Sequence, residues 1–297
     1  MSKRVLLVGT ISNVARTLEK ELKIVMKALL IFDSVEVFLV ESDSVDATIT
    51  ILNKIKSDNK DFQFRTLGKI QKKYPNRIER IAYCRNIYVR YIQDNYKKRK
   101  WDYVVVADLD GMNLKLTKKA IESCFEIDSP WDGLMANQKF GYYDLYALRA
   151  ENWIEEDCFL EMNRVKSSAP QPKLFSSPLL NFVIQFIYFD KFRKHYIYDR
   201  MKIIKPNSDL IKVSSAFGGF AVYNPRVFFS ALYKPSDLLE SEHVYFHEAG
   251  NNSNKLFYIN PSLINNHINP YNINRWTFIR FLRELKKYLG TVRNTDY

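Results

Sequence analysis

Three observations predict an α/β fold built on a doubly wound, mainly parallel sheet, closed by a basic amphipathic helix at the C-terminus. Apolar strand-like and amphipathic helix-like segments alternate through the first hundred residues, the pattern of successive parallel βαβ units. The run Tyr103-Val104-Val105-Val106-Ala107 stops abruptly at Asp108-Leu109-Asp110. Carboxylates ejected at the C-terminal end of a buried strand mark the edge where an open α/β sheet places its ligand. Last, Phe278, Phe281, Leu282, Leu285 and Leu289 recur at helical spacing among six Lys/Arg and two acids between Asn274 and Tyr297.

Taken in order, the sequence predicts a strand over residues 4–9, a helix over 14–31, a strand over 35–41 and a helix over 44–57. A strand over 62–66, a helix over 78–96 and a strand over 102–107 follow. The second strand also ends in carboxylates and hydroxyls, Glu41 to Thr48, where Asp43 or Ser44 is the expected N-cap of the next helix. Beyond Asp110 the runs shorten. Trp131 to Ala136 reads as a strand, and residues 151–210, with Pro170, Pro172, Pro178 and Pro206 among aromatic and basic residues, read as an insertion. Strand character returns over Val213 to Tyr223 around Gly218-Gly219, where a backbone must turn or approach a ligand closely. No linker divides the chain, so residues 1–268 are expected to form one catalytic domain in two halves (1–112 and 113–268), followed by a helical extension (269–297).

A chain of 297 residues with 46% apolar and 26% charged residues is globular rather than disordered. Cys84, Cys124 and Cys158 are odd in number and widely spaced, which fits neither a disulfide framework nor a zinc pattern and points to a reducing cytoplasm. The five-residue run Val5 to Gly9 is too short for a signal peptide, and no segment approaches the ~20 apolar residues of a membrane span. A net charge of +12 admits nucleic acid, anionic lipid or anionic substrates. The C-terminal helix suits peripheral contact with the anionic cytoplasmic face of a membrane, or packing of its apolar stripe on the domain, or both. The spread of the basic residues and the lack of a recognition motif argue against nucleic acid.

Two aspartates one residue apart on an extended chain face the same side and offer hard oxygen ligands to magnesium or manganese. Asp108 and Asp110 are therefore the expected metal pair. At this point a resemblance becomes specific. Arg85-Asn86, then Asp108-Leu109-Asp110, then Tyr142 to Arg149, then Ser215 to Gly219, then Glu242-His243-Val244, occur in that order over residues 4–268. The series resembles the GT-A-type nucleotide-diphospho-sugar glycosyltransferases, particularly the capsule and cell-surface glycan enzymes of the cryptococcal α-mannosyltransferase type and related bacterial and viral enzymes. Glu41 to Thr48 is similar to that family's Glu-x-x-Ser-x-Asp-x-Thr turn.

The resemblance implies a Rossmann-like nucleotide half, a Mn2+ or Mg2+ ion at Asp108 and Asp110, a nucleotide-diphospho-sugar donor, and transfer to a glycan or lipid-linked acceptor in polysaccharide biosynthesis. It places Thr10 and Asn13 against the nucleotide, Glu41 and Asp43 near base and ribose, and Arg85, beside Asn86, on the diphosphate or base. Gly218 and Gly219 would bring backbone near the donor sugar or form a plain turn; Asp144 would grip sugar hydroxyls or act as a cap. Glu242 is the candidate base of an inverting transfer, although His243 stands where inverting members carry a second acid. His247 and His267 are candidates to complete the metal shell, with a structural role the alternative. A sugar-1-phosphate nucleotidyltransferase would need a glycine-rich loop after the first strand, where only Gly9 is found. A glycoside hydrolase needs its carboxylates across a sugar rather than side by side.

Overall fold

The computed structural model describes residues 3–172, 175–234, 240–251 and 254–293. Its first half follows the expected alternation: β1 (Arg4–Ile11), α1 (Leu18–Ala28), β2 (Ser34–Glu41), α2 (Thr48–Asp58), β3 (Phe62–Thr66), α3 (Arg77–Arg99) and β4 (Tyr103–Ala107). The second half contributes α4 (Lys118–Glu122), β5 (Gly133–Gln138), α5 (Cys158–Ser168), α6 (Pro178–Tyr196), β6 (Ile211–Val213), β7 (Phe220–Tyr223), α7 (Glu242–Asn251), β8 (Phe257–Asn266) and α8 (Thr277–Arg293). Residues 294–297 of the expected extension lie outside the described residues.

One eight-stranded sheet has the order β3-β2-β1-β4-β7-β5-β8-β6. β1 to β4 pair in parallel, β7 runs antiparallel between β4 and β5, β8 is parallel to β5, and β6 closes the edge antiparallel to β8. Alternate residues of the central strands feed two cores. Leu6, Val8, Val104 and Val106 pack with Ala82, Tyr88 and Ile92 of α3. Val5, Leu7, Val105 and Ala107 pack with Leu18, Leu22 and Val25 of α1. Burial on both faces is why these strands read as unbroken apolar runs.

Local chemistry sets the ends. Asn76 caps α3, its side chain accepting the amides of Ile78 at 2.8 Å and Glu79 at 3.4 Å. Lys100, in the left-handed region at φ 51°, ends it. Neither Asp43 nor Ser44 caps α2: Asp43 sits at φ 59°, and Asp46 takes the amide of Thr48 at 3.0 Å instead. Residues 213–223 are not one strand but β6 and β7, separated by a loop in which Gly218 and Gly219 have φ of 70° and 80°. The stretch expected as an insertion folds into α5 and α6, and α6 packs against α8.

Candidate active site

The loops following β1, β2 and β4, with the N-termini of α3 and α7, surround a cavity of about 590 Å3, a size that suits a ligand site. Two of these loops are tied together before any ligand arrives. Asn13 donates its amide to Ser44 Oγ at 3.0 Å and accepts from the amide of Val45 at 2.8 Å. Asp46 accepts from the amide of Ala15 at 3.1 Å. Asp43 accepts from the amide of Gln71 at 2.9 Å and pairs with Arg80 at 3.6 Å. Thr10, Asn13 and Asp43 all line the cavity, as the nucleotide reading expects. Glu41 does not: it is buried behind the wall, accepting from the amide of Ser44 at 3.0 Å and from the hydroxyl of Thr66.

Asp108 leaves β4 with its amide donated to Gly219 O at 3.0 Å, so β7's entry loop fixes where the aspartate pair begins. Arg85 of α3, 4% exposed, lies between two carboxylates: Nε donates to Glu242 at 2.9 Å and Nη2 to Asp108 at 3.3 Å. The guanidinium packs over the rings of Phe217 and Tyr233 at 5.2 and 5.5 Å. Arg85, expected on the diphosphate or base, lines the cavity and is already paired with two carboxylates. Asp110, Asp144 and Glu242 share the cavity with Asp108. Burial pushes the Asp108 carboxyl above the usual carboxylate range; Arg85 opposes the shift, and the charges of Asp110, Glu242 and Asp144 add to it. A wall this rich in desolvated oxygen anions is short of positive charge, and hard oxygen donors fit Mg2+ or Mn2+. Among the described residues no group of three or more His, Cys, Asp or Glu is arranged to close around an ion.

Asp144 accepts from the amides of Gly218 at 2.9 Å and Ala147 at 3.4 Å. It lines the cavity and orders the glycine loop at once. The glycines do not reach the cavity wall. A Cβ on Gly218 would stand 2.7 Å from Ala136 O, and one on Gly219 3.1 Å from Met112 Cβ, so both serve the turn. Asn86 is likewise structural, exchanging both amide hydrogen bonds with the backbone of Tyr233 at 2.8 Å.

The late histidines are not brought to the aspartates. His247 is fully buried, with Nδ1 3.0 Å from Ser215 Oγ and Nε2 2.9 Å from Tyr223 OH. Burial, then Arg85, lowers its pKa to about 3, so it is neutral and both ring nitrogens are taken. His267 packs edge-on to Phe140 at 6.2 Å, away from the cavity lining. A metal reading therefore rests on Asp108 and Asp110 alone.

Several residues of the site escaped sequence reasoning. Arg77, the first residue of α3, is exposed, lines the cavity and acts on Asp110. A cation in the first turn opposes the helix dipole, and that misfit was the available signal. Tyr143 and Tyr271, 128 residues apart, stack at 5.1 Å and 13° on the cavity wall. Glu21, buried on α1, accepts from the amides of Gly111 and Asn113, each at 2.6 Å, and so holds the loop after Asp110.

Compared with family models and with curated proteins, the sequence matches none. Solved structures do match. The chain aligns over 98% of its length, at 12% identity and a TM-score of 0.50, with the mannosyltransferase PcManGT from Pyrobaculum calidifontis, solved in complex with GDP-Man and Mn2+. The fold is GT-A. Weaker likenesses are S. aureus TarS 1–349 (14% identity, TM-score 0.40, 87% of this chain and 58% of that one) and glucosyl-3-phosphoglycerate synthase from Mycobacterium tuberculosis with UDP (11%, 0.38, 89% and 69%). The chain spans 65% of the mannosyltransferase, under two thirds of its length. Seen as a GT-A sheet, the cavity opens at the C-terminal ends of β1, β2 and β4, the side where such sheets bind ligands.

Proposed function

We propose that the chain is a metal-dependent glycosyltransferase that moves a hexosyl group from a nucleotide-diphospho-sugar to a hydroxyl of a glycan or lipid-linked acceptor in cell-surface polysaccharide biosynthesis. The observation that carries this reading is the convergence of Asp108, Asp110, Asp144 and Glu242 around Arg85 in one cavity. Asp108, Asp110, Asp144 and Glu242 outnumber the buried Arg85 and the exposed Arg77 beside them, which favours a further cation. Asp108 and Asp110 would hold Mn2+ or Mg2+, which, when bound, offsets the charge of the diphosphate as the glycosidic C–O bond breaks. Asp108 and Asp110 would supply only part of such an ion's oxygen ligands, leaving positions that donor phosphate or water could fill. The nucleotide lies along Thr10, Asn13 and Asp43, and Arg77 at the rim pairs with the diphosphate. Asp144 accepts from sugar hydroxyls, and Tyr143 and Tyr271 pack against a ring face. In an inverting transfer Glu242 takes the acceptor proton as the new bond to the anomeric carbon forms. The three cysteines are buried and unpaired, in keeping with a cytoplasmic setting.

The nucleotidyltransferase alternative gains nothing from the single glycine after the first strand. A Cβ on Gly9 would meet Ala107 O at 2.3 Å, so this glycine serves strand packing rather than a phosphate loop. The test is thermal shift and turnover with GDP- and UDP-sugars, with and without Mn2+. Asp108→Ala and Asp110→Ala are expected to abolish transfer and metal-dependent donor binding with the circular dichroism unchanged. Full turnover in excess chelator, or in either variant, overturns the mechanism. Glu242→Gln is expected to lower kcat by about 10²–10⁴ with donor affinity retained; normal turnover removes the base assignment alone.

A further inference from the structure

Helix α8 presents three faces. One meets α6: Phe281 lies edge-on to Phe186 at 5.2 Å, Tyr288 stacks on Phe182 at 4.7 Å, and Arg280 pairs with the buried Asp190. A second is an apolar stripe at positions i, i+4, i+7 and i+11, Phe278, Leu282, Leu285 and Leu289, aligned along one side by helical geometry. This stripe is not core. Phe278 is 70% exposed, Leu282 47% and Leu289 49%, and Trp276 just before the helix is 53% exposed. The third face is basic: Lys286 is exposed, Arg283 is exposed while donating to Asn274 Oδ1 at 3.0 Å and pairing with Glu284 at 3.5 Å, and Lys287 pairs with Glu284 at 3.0 Å. Glu284 is the only acid between Thr277 and Arg293.

A contiguous exposed apolar stripe marks an interaction surface, and the cations along its edge state the chemistry of the partner. A bilayer interface supplies hydrocarbon to the stripe and anionic headgroups to the basic edge in a single plane. An indole beside the helix suits the same depth. Among the described residues no helix is long and apolar enough to cross a membrane, so the contact is parallel to the surface. We propose that α8 lies flat on an anionic phospholipid surface, with Phe278, Leu282 and Leu289 at the boundary of headgroups and acyl chains and Arg283 and Lys286 on the headgroups. The contact stands independently of the transferase reading, because it uses none of the cavity residues.

The test is sedimentation of the full chain with vesicles of phosphatidylcholine containing about a third phosphatidylglycerol, against phosphatidylcholine alone, at low and high salt. The protein is expected to pellet with the anionic vesicles and to be released by salt, with a blue shift of Trp276 emission that Trp276→Phe removes. Phe278→Asp with Leu282→Asp is expected to weaken binding at least tenfold with unchanged Tm, both side chains being exposed. Each charge reversed at Arg283 or Lys286 is expected to cost about fivefold or more. Failure to pellet with anionic vesicles, or equal binding by the stripe variants, overturns the proposal. So does conversion of a dimer to a monomer by the stripe variants, since a second copy would then be what covers the stripe.

Discussion

At the scale of single residues, the site is governed by buried charge that the surrounding fold must neutralise internally. Arg85 is the clearest case: it lies between Asp108 and Glu242 and is 4% exposed. Removing one partner of a buried ion pair strands the other, typically at about 3–5 kcal/mol. Arg85→Ala is expected to destabilise by that order in urea unfolding. Arg85→Lys is expected to restore only part of it, because a point charge does not reach two carboxylates as a planar fork does. Glu21 is the second case. Burial raises its pKa from 4.5 to about 7, against hydrogen bonds from Asn113 and Gly111 that lower it. Between those values the folded chain holds a proton that the unfolded chain has released. Stability contributed at this position is therefore complete below about pH 4.5 and is lost as pH rises to about 7. Urea midpoints measured over that window are expected to fall with pH in the native chain relative to Glu21→Gln, and the two curves are expected to run parallel outside it. Under the proposed metal reading, because Glu21 holds the amides of Gly111 and Asn113, the same variant is expected to weaken Mn2+ affinity about 10- to 100-fold, the usual effect of losing a group that orients metal ligands.

At the scale of elements, what could be read from sequence tracks how local the forces are. β1 through β4 and their helices were legible because each strand pairs with a sequence neighbour or with β1, and each helix shows its period. In the second half β5, β7 and α8 were legible as elements, but their pairing was not, since β7 inserts between β4 and β5, and β8 separates β5 from β6. β8 itself escaped notice: Pro261 interrupts it, and its pairing with β5 shifts register beyond Met135. α6 has apolar residues all round, because it serves α5 on one side and α8 on another, so no periodic stripe announces it. In the site, Asp108 and Asp110 were legible as carboxylates at the end of a predicted strand, whereas Asp144 and Glu242 were singled out only through the family resemblance. Arg77 and the Tyr143–Tyr271 stack depend on tertiary approach, and the assignments of His247 and Asn86 toward a ligand missed the protein partners that occupy them. The loop between β6 and β7 allows a direct check. Gly218 combines φ of 70° with no room for a Cβ and donates its amide to Asp144. Gly218→Ala is expected to cost on the order of 1–3 kcal/mol, read from Tm, and to raise the KM for donor as Asp144 loses its support.

At the scale of the whole molecule, the sheet with its two cores is one cooperative body, whereas α8 is held mainly through α6. The main fastening is Arg280, 1% exposed in its side chain, whose guanidinium reaches both oxygens of Asp190, the carbonyls of Asn274 and Arg275, and the hydroxyl of Thr277. All five of its N–H donors are thereby used, and its Cζ lies 4.3 Å from the ring centroid of Tyr198. Arg280→Met would keep most of the volume yet leave Asp190 buried without its cation, a loss of about 3–5 kcal/mol. Free energy lost at one interface is felt first by the unit that the interface holds. Hydrogen exchange in Arg280→Met is therefore expected to show lost protection across α8 and residues 272–275, with β1, β2 and β4 protected as before. Tyr271, which stacks on Tyr143 in the cavity wall, immediately precedes that turn, so under the proposed transferase reading the same variant is expected to raise the KM for the sugar substrate more than it lowers kcat. Uniform loss of protection through the sheet would mean instead that α6 and α8 belong to the cooperative core.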